Sequence, residues 1–214
     1  MNILPMLARL ENALGRTDLT KQMVLIPHKS GERSTSEEIN LVVGYNGSPR
    51  SQTALDLTLW IAHQTRLVTR KPVTVQVVYV ADLTDQGQRS PKKNARSGSS
   101  SVYADSVIKP FSHSAQPSSV AVAEPLSSAD PFDHADRVLW QARNLAEEWR
   151  GSLKTHLRFG QVARELRQIV QSESGVLLLV GCESPTHALV HQLGAKFPCP
   201  VLGIPTALVE PDSV

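Results

Sequence analysis

Asn40-Leu-Val-Val-Gly-Tyr-Asn-Gly-Ser-Pro49 runs from an apolar strand through a turn into a helix. Asn46-Gly47-Ser48-Pro49 supplies the turn, a candidate N-cap and a proline suited to the first helical position. Ala54, Leu55, Thr58, Ile61 and Ala62 follow at helical spacing, so the helix covers one side of a sheet. Val73 to Val80 is β-branched and nearly continuous in apolar residues, as a strand buried on both faces is. Strand, helix and strand together predict a right-handed parallel crossover.

The C-terminal half repeats the plan. Val138, Leu139, Ala142, Leu145, Ala146 and Trp149 predict an amphipathic helix that Gly151 stops. Leu153 to Phe159 alternates, with Leu153, Thr155, Leu157 and Phe159 on one side, which places a half-exposed strand near a sheet edge. After Gly160, Val162, Leu166, Ile169 and Val170 form the inward face of a helix, with Arg164, Glu165 and Arg167 outward. Val176-Leu-Leu-Leu-Val-Gly181 is a central strand. Leu189, Val190, Leu193 and Phe197 mark a last helix, and Pro198-Cys-Pro-Val-Leu-Gly-Ile-Pro205 holds a closing strand at Val201 to Ile204.

The strand endings at Asn46-Gly-Ser48 and Pro198-Cys-Pro-Val201 resemble the universal stress protein family. The resemblance covers about 39 to 81 and 133 to 206. It implies an α/β fold, universal-stress-protein or adenine-nucleotide-hydrolase-like. Its five-stranded parallel doubly wound sheet would have the order 3-2-1-4-5, with a switch point between strands one and four. The same likeness implies a nucleotide site at Asn46, Val80 and Gly181, and a homodimer formed through the fifth-strand edge.

The family's glycine-rich phosphate loop, Gly-x2-Gly-x9-Gly-Ser/Thr, is absent after Gly181. Such a loop offers backbone N–H groups to phosphate at a helix N-terminus. Here Gly181 leads into Cys182-Glu-Ser-Pro-Thr-His187, with no second glycine before Gly194. Pro185 has no N–H to donate, and Glu183 would set a carboxylate beside any phosphate. Asn46 also replaces the Asp with which nucleotide-binding members touch the nucleoside. The expectation is a degenerate site that does not bind ATP in the usual way. The alternative is an adenine-nucleotide sensor, using ATP or another adenine nucleotide with a phosphate site rebuilt by the insertion.

At 214 residues and 41% hydrophobic content the chain can bury a core, and a net charge of +2 is too small to argue for nucleic acid or an anionic membrane. No apolar run is long enough to span a bilayer, and the N-terminus lacks the features of a secretory signal, so the expected location is cytoplasmic. Cys182 and Cys199 are expected as buried or half-buried thiols rather than a disulfide, because parallel strands would put them at opposite edges of the sheet; redox sensing by Cys182 is the alternative. Among seven histidines only His187 and His191 sit one helical turn apart, and without a third ligand they read as a solvated face rather than a metal site. No catalytic constellation is visible, and Ser48 reads as a cap; no enzyme is expected.

Residues 1–38 read as an N-terminal extension. Ile3, Leu7, Leu10 and Leu14 form one face of a short helix that Gly15 ends, followed by a linker from Lys29. That face needs a surface to cover: its own domain, a partner or second copy, or a membrane surface. The α/β domain spans 39–206, interrupted by a low-complexity insertion at 82–132 and followed by a tail at 207–214. Twelve serines and five prolines in residues 82 to 131 predict disorder. Its cluster of Arg89, Lys92, Lys93 and Arg96 around Ser90 suits either a silent loop or docking that phosphorylation of Ser90 would regulate.

Overall fold

A computed structural model describes residues 4–27, 37–81, 131–149 and 151–205. Its elements are α1 (Leu4–Leu14), α2 (Leu19–Met23), β1 (Val24–Ile26), β2 (Ile39–Gly44), α3 (Pro49–Thr69), β3 (Val73–Ala81), α4 (Pro131–Glu147), β4 (Ser152–Phe159), α5 (Val162–Ser172), β5 (Gly175–Leu179), α6 (Ala188–Leu193) and β6 (Val201–Leu202). The insertion up to residue 130, with Ser90 and its basic cluster, and the tail at 207–214 lie outside the described residues.

The apolar strands have side chains to bury on both faces, and helices cover both. Leu41, Val43, Val75, Val77, Leu177 and Leu179 pack beneath α3 and α4, while Val42, Val78, Leu178 and Val180 pack beneath α5 and α6. α3 runs 21 residues, ending at Arg70 in the left-handed region (φ 55°). In α5, Leu166, Ile169 and Val170 are buried as expected, but at the start of the helix Ala163 is buried while Val162 is 38% exposed. Arg167 is not a purely outward residue: its guanidinium lies 5.0 Å from the centre of the Phe197 ring and donates to the carbonyls of Leu193 and Lys196. α6 ends at Leu193, and Phe197 packs beyond it as a core residue.

The sheet has six strands, in the order β1-β6-β5-β2-β3-β4, rather than the expected five. Five of them are parallel: β2 pairs with β3 and β5, β3 with β4, and β5 with β6. The sixth comes from the N-terminal extension. β1 lies antiparallel on β6, with Val24 opposite Leu202 and Ile26 opposite Val201, and Gly203 N–H donates to the Met23 carbonyl at 2.8 Å.

The extension is therefore part of the domain rather than an appendage. Gly15 (φ 64°) ends α1, and Thr20 N–H donates to Glu11 at 2.7 Å, tying α2 back onto α1. Leu7, Leu19 and Met23 enter the core under α3, while Leu25 and Ile26 enter the core under α5 and α6. Burial of a large apolar side chain contributes about 1.5–3 kcal/mol before ordering costs, so this segment is anchored on both sides of the sheet. Because β1 occupies the outer edge of β6, the route by which a dimer was expected to form is already taken within the chain.

Candidate functional site

Register brings the three predicted residues together. Val43 lies opposite Val77 and Leu179, so Asn46, Val80 and Gly181 all fall just past the same level, at the C-terminal ends of β2, β3 and β5. Side-chain geometry then separates their roles. Asn46 is exposed, but its Oδ1 accepts from Ser48 N–H (3.1 Å) and Ser48 O–H (2.7 Å). Ser48 Oγ in turn accepts from Ser51 N–H at 3.3 Å and caps α3. Asn46 thus shapes the turn that starts the helix, with Gly47 at φ 78° supplying the conformation an L side chain disfavours. Val80 is half-buried against the α5 and α6 layer.

Gly181 meets the first turn of α3. A Cβ placed there would lie 3.0 Å from the Ser51 nitrogen and 3.1 Å from the Arg50 carbonyl carbon. Absence of a side chain at Gly181 is what lets the helix start close against the end of β5. Across this joint Arg50 Nη2 and Glu183 Oε2 form an ion pair at 2.5 Å. Arg50 had not stood out in the sequence, yet it carried a signal. A cation in the first turn opposes the helix dipole, and Glu183 from the β5 turn compensates it.

The turn after β5 is built from its own polar groups. Thr186 N–H donates to Ser184 Oγ (3.2 Å), and His187 N–H to the Ser184 carbonyl (3.1 Å), with Pro185 between them. His187 Nδ1 accepts from Leu189 N–H at 3.2 Å and caps α6, and the Cys182 sulfur lies 3.3 Å from the same nitrogen. Nδ1 is the acceptor for the amide, so Cys182 approaches it as an S–H donor. Burial pushes the Cys182 thiol up to about 11, with Arg50 partly opposing the rise, and burial pushes Cys199 up to about 12. Both are buried free thiols and stay protonated at neutral pH. Among the described residues no cluster of three His, Cys, Asp or Glu is placed to hold a metal ion.

Tyr45 turns away from this end of the sheet into the layer under α3 and α4, where burial raises its phenol pKa. Its hydroxyl is buried, and the neighbouring Gln52 side chain partly offsets that rise. Two concavities among the described residues lie away from this point. One of about 10 Å³ sits among Leu59, His63, Val75 and Trp149. An open depression of about 630 Å³ lies at the opposite ends of the strands, bounded by Glu37, Asn40, Lys154 and Glu173. Beside it, a polar row crosses the sheet: Gln76 Nε2–H donates to Asn40 Oδ1 (2.9 Å), and Gln76 Oε1 lies 2.7 Å from His156 Nε2, which must carry the proton. Gln76 is wholly buried, and the row satisfies both ends of its amide.

No family model and no curated protein matches the chain. Solved structures match its fold. A universal stress protein family protein from Arabidopsis thaliana, with AMP bound, superposes with a TM-score of 0.52 at 14% identity, over 82% of this chain and 97% of that one. A hypothetical protein whose biochemical function was assigned from its structure gives 0.50 at 13% identity, over 78% and 94%. A universal stress protein family member from Burkholderia pseudomallei is 20% identical, with a TM-score of 0.47 over 80% of this chain and 99% of that one. The first, together with the parallel order β4-β3-β2-β5-β6, shows that this chain has the universal stress protein fold.

Proposed function

We propose that this protein is a non-catalytic regulatory or interaction module of the universal stress protein type, acting in stress response without binding ATP in the usual way. The observation that carries the reading is the closed joint at the switch point. The first turn of α3 lies directly on Gly181, and Glu183 neutralises Arg50, a cation beside the end of β5 where a phosphate would need charge. α6, only six residues long, begins with a histidine cap where a glycine-rich loop would present donors. Its partners on this reading are proteins, reached through the insertion or the exposed face of α4, where Trp140 is 62% exposed.

A second reading, an adenine-nucleotide sensor, draws on the AMP bound to the Arabidopsis thaliana neighbour and on Arg50 at a helix N-terminus. Isothermal titration with ATP, ADP, AMP and cyclic AMP, in magnesium, separates the two. We expect no heat with the native chain. A phosphate that had to displace Glu183 from Arg50 would bind more tightly to Glu183→Gln by roughly tenfold or more, since one lost repulsion of about 1.4 kcal/mol is a factor of ten. Saturable binding to the native chain that tightens in this variant would replace the first reading with the second.

A further inference from the structure

The two edges of the sheet are protected by different means. β4, eight residues long, carries Lys154 and Arg158 on one face, the kind of charge that discourages strand addition. β6 has none. Val201, Leu202 and Ile204 are fully buried, and what covers their outer side is β1. The cover is supplied by a segment joined to the rest of the domain only through residues 28–36, and it grips by side chains rather than a long ladder: Leu25 and Ile26 on one side of the sheet, Leu19 and Met23 on the other.

Chain length decides whether this cover has to come from the same molecule. β1 is three strand positions from β2, a lateral distance of about 14 Å. The twelve residues between Ile26 and Ile39 can reach about 40 Å when extended. Closure within one molecule is therefore unstrained, and its effective concentration, on the order of millimolar, favours it at ordinary protein concentration. The same contour length also suffices to reach a neighbouring molecule, whose β6 presents an identical seat.

We propose that residues 4–27 are an exchangeable strap, closing the β6 edge within one molecule and able to dock on β6 of a second copy to form a strap-exchanged dimer. The two arrangements make the same strap contacts, so linker length and protein concentration set the balance between them. This inference goes beyond the proposed function and is independent of whether a nucleotide binds.

Removing residues 28–36 leaves four Cα–Cα steps between Ile26 and Ile39, about 14 Å at full extension, too little to cover the lateral distance and the offset along the strands. Removing 30–34 alone leaves about 28 Å, enough to close. Light scattering after gel filtration should give a monomer for the native chain and for the five-residue deletion, and a dimer for the nine-residue deletion. Hydrogen exchange should keep the Gly203 amide protected in that dimer, because it still bonds to the Met23 carbonyl of a strap. A nine-residue deletion that stays monomeric overturns the proposal. So does a dimer whose Gly203 amide is unprotected, since its edge is then paired by something other than a strap. If the nine-residue deletion does not fold, refolding the native chain from urea at graded concentration reads the same exchange: a dimer fraction rising with concentration supports it, and monomer throughout overturns it.

Discussion

At the scale of single residues, close approaches matter more here than charges. Gly203 sits where the strap, the end of β6 and the turn after β5 converge. A Cβ added there collides with the Cys182 carbonyl oxygen and lies 2.6 Å from Leu25 Cδ1. Leu25 can shift, but the carbonyl is held by Ile204 N–H at 2.8 Å. Gly203→Ala should therefore cost about 1–3 kcal/mol, read as a lowered urea midpoint with an unchanged slope. His156 gives a pH signature. Burial lowers its pKa from the ordinary 6.5, with Arg158 and Lys154 acting the same way and Glu173 opposing. Below about 6.5 the unfolded chain takes up a proton that the folded chain resists. The contribution is present above that pH and is lost as pH falls toward the folded value. Urea midpoints at pH 7.5 and 5.5 should differ less for His156→Gln, which keeps a donor for Gln76, than for the native protein.

At the scale of elements, the start of α3 couples the turn after β2 to the turn after β5. Ser48 Oγ accepts from Ser51 N–H and Ser48 O–H donates to Asn46, so Ser48→Ala removes a cap and unties the turn together. A loss of about 1 kcal/mol is expected, and Ser48→Thr, which retains the hydroxyl, should recover most of it in thermal or urea unfolding. An unchanged Ser48→Ala would mean that the packing of Gly181 against Arg50 and Ser51 alone fixes the helix start. The sequence showed this cap, because a serine followed by proline before an apolar periodic run has one local meaning. It also showed the strands, since β-branched and leucine-rich runs such as Val73 to Val80 and Val176 to Val180 have few alternatives to a buried strand. β1 escaped notice because Val24-Leu-Ile26 is too short to display a period and gains its structure only from β6.

At the scale of the whole molecule, the edges of the sheet decide how the chain presents itself to others. With β1 in place, the native chain is expected as a monomer at micromolar concentration, and the linker deletions described above test whether that edge can be shared. Among the described residues no helix is long and apolar enough to cross a membrane. Sequence by itself determined the parallel α/β core, the order of its five central strands through the family resemblance, and the level at which Asn46, Val80 and Gly181 meet. The core follows from local periodicity and from the handedness of strand-helix-strand connections, both of which act along the chain, whereas the strand order and the meeting level came through the resemblance. Only the tertiary structure decided that the N-terminal segment closes the β6 edge, that Arg50 is held by Glu183, and that Asn46 serves its own turn. Each of these joins residues far apart in sequence or chooses among partners for one polar group, and such choices are made by packing and hydrogen-bond satisfaction in the folded state.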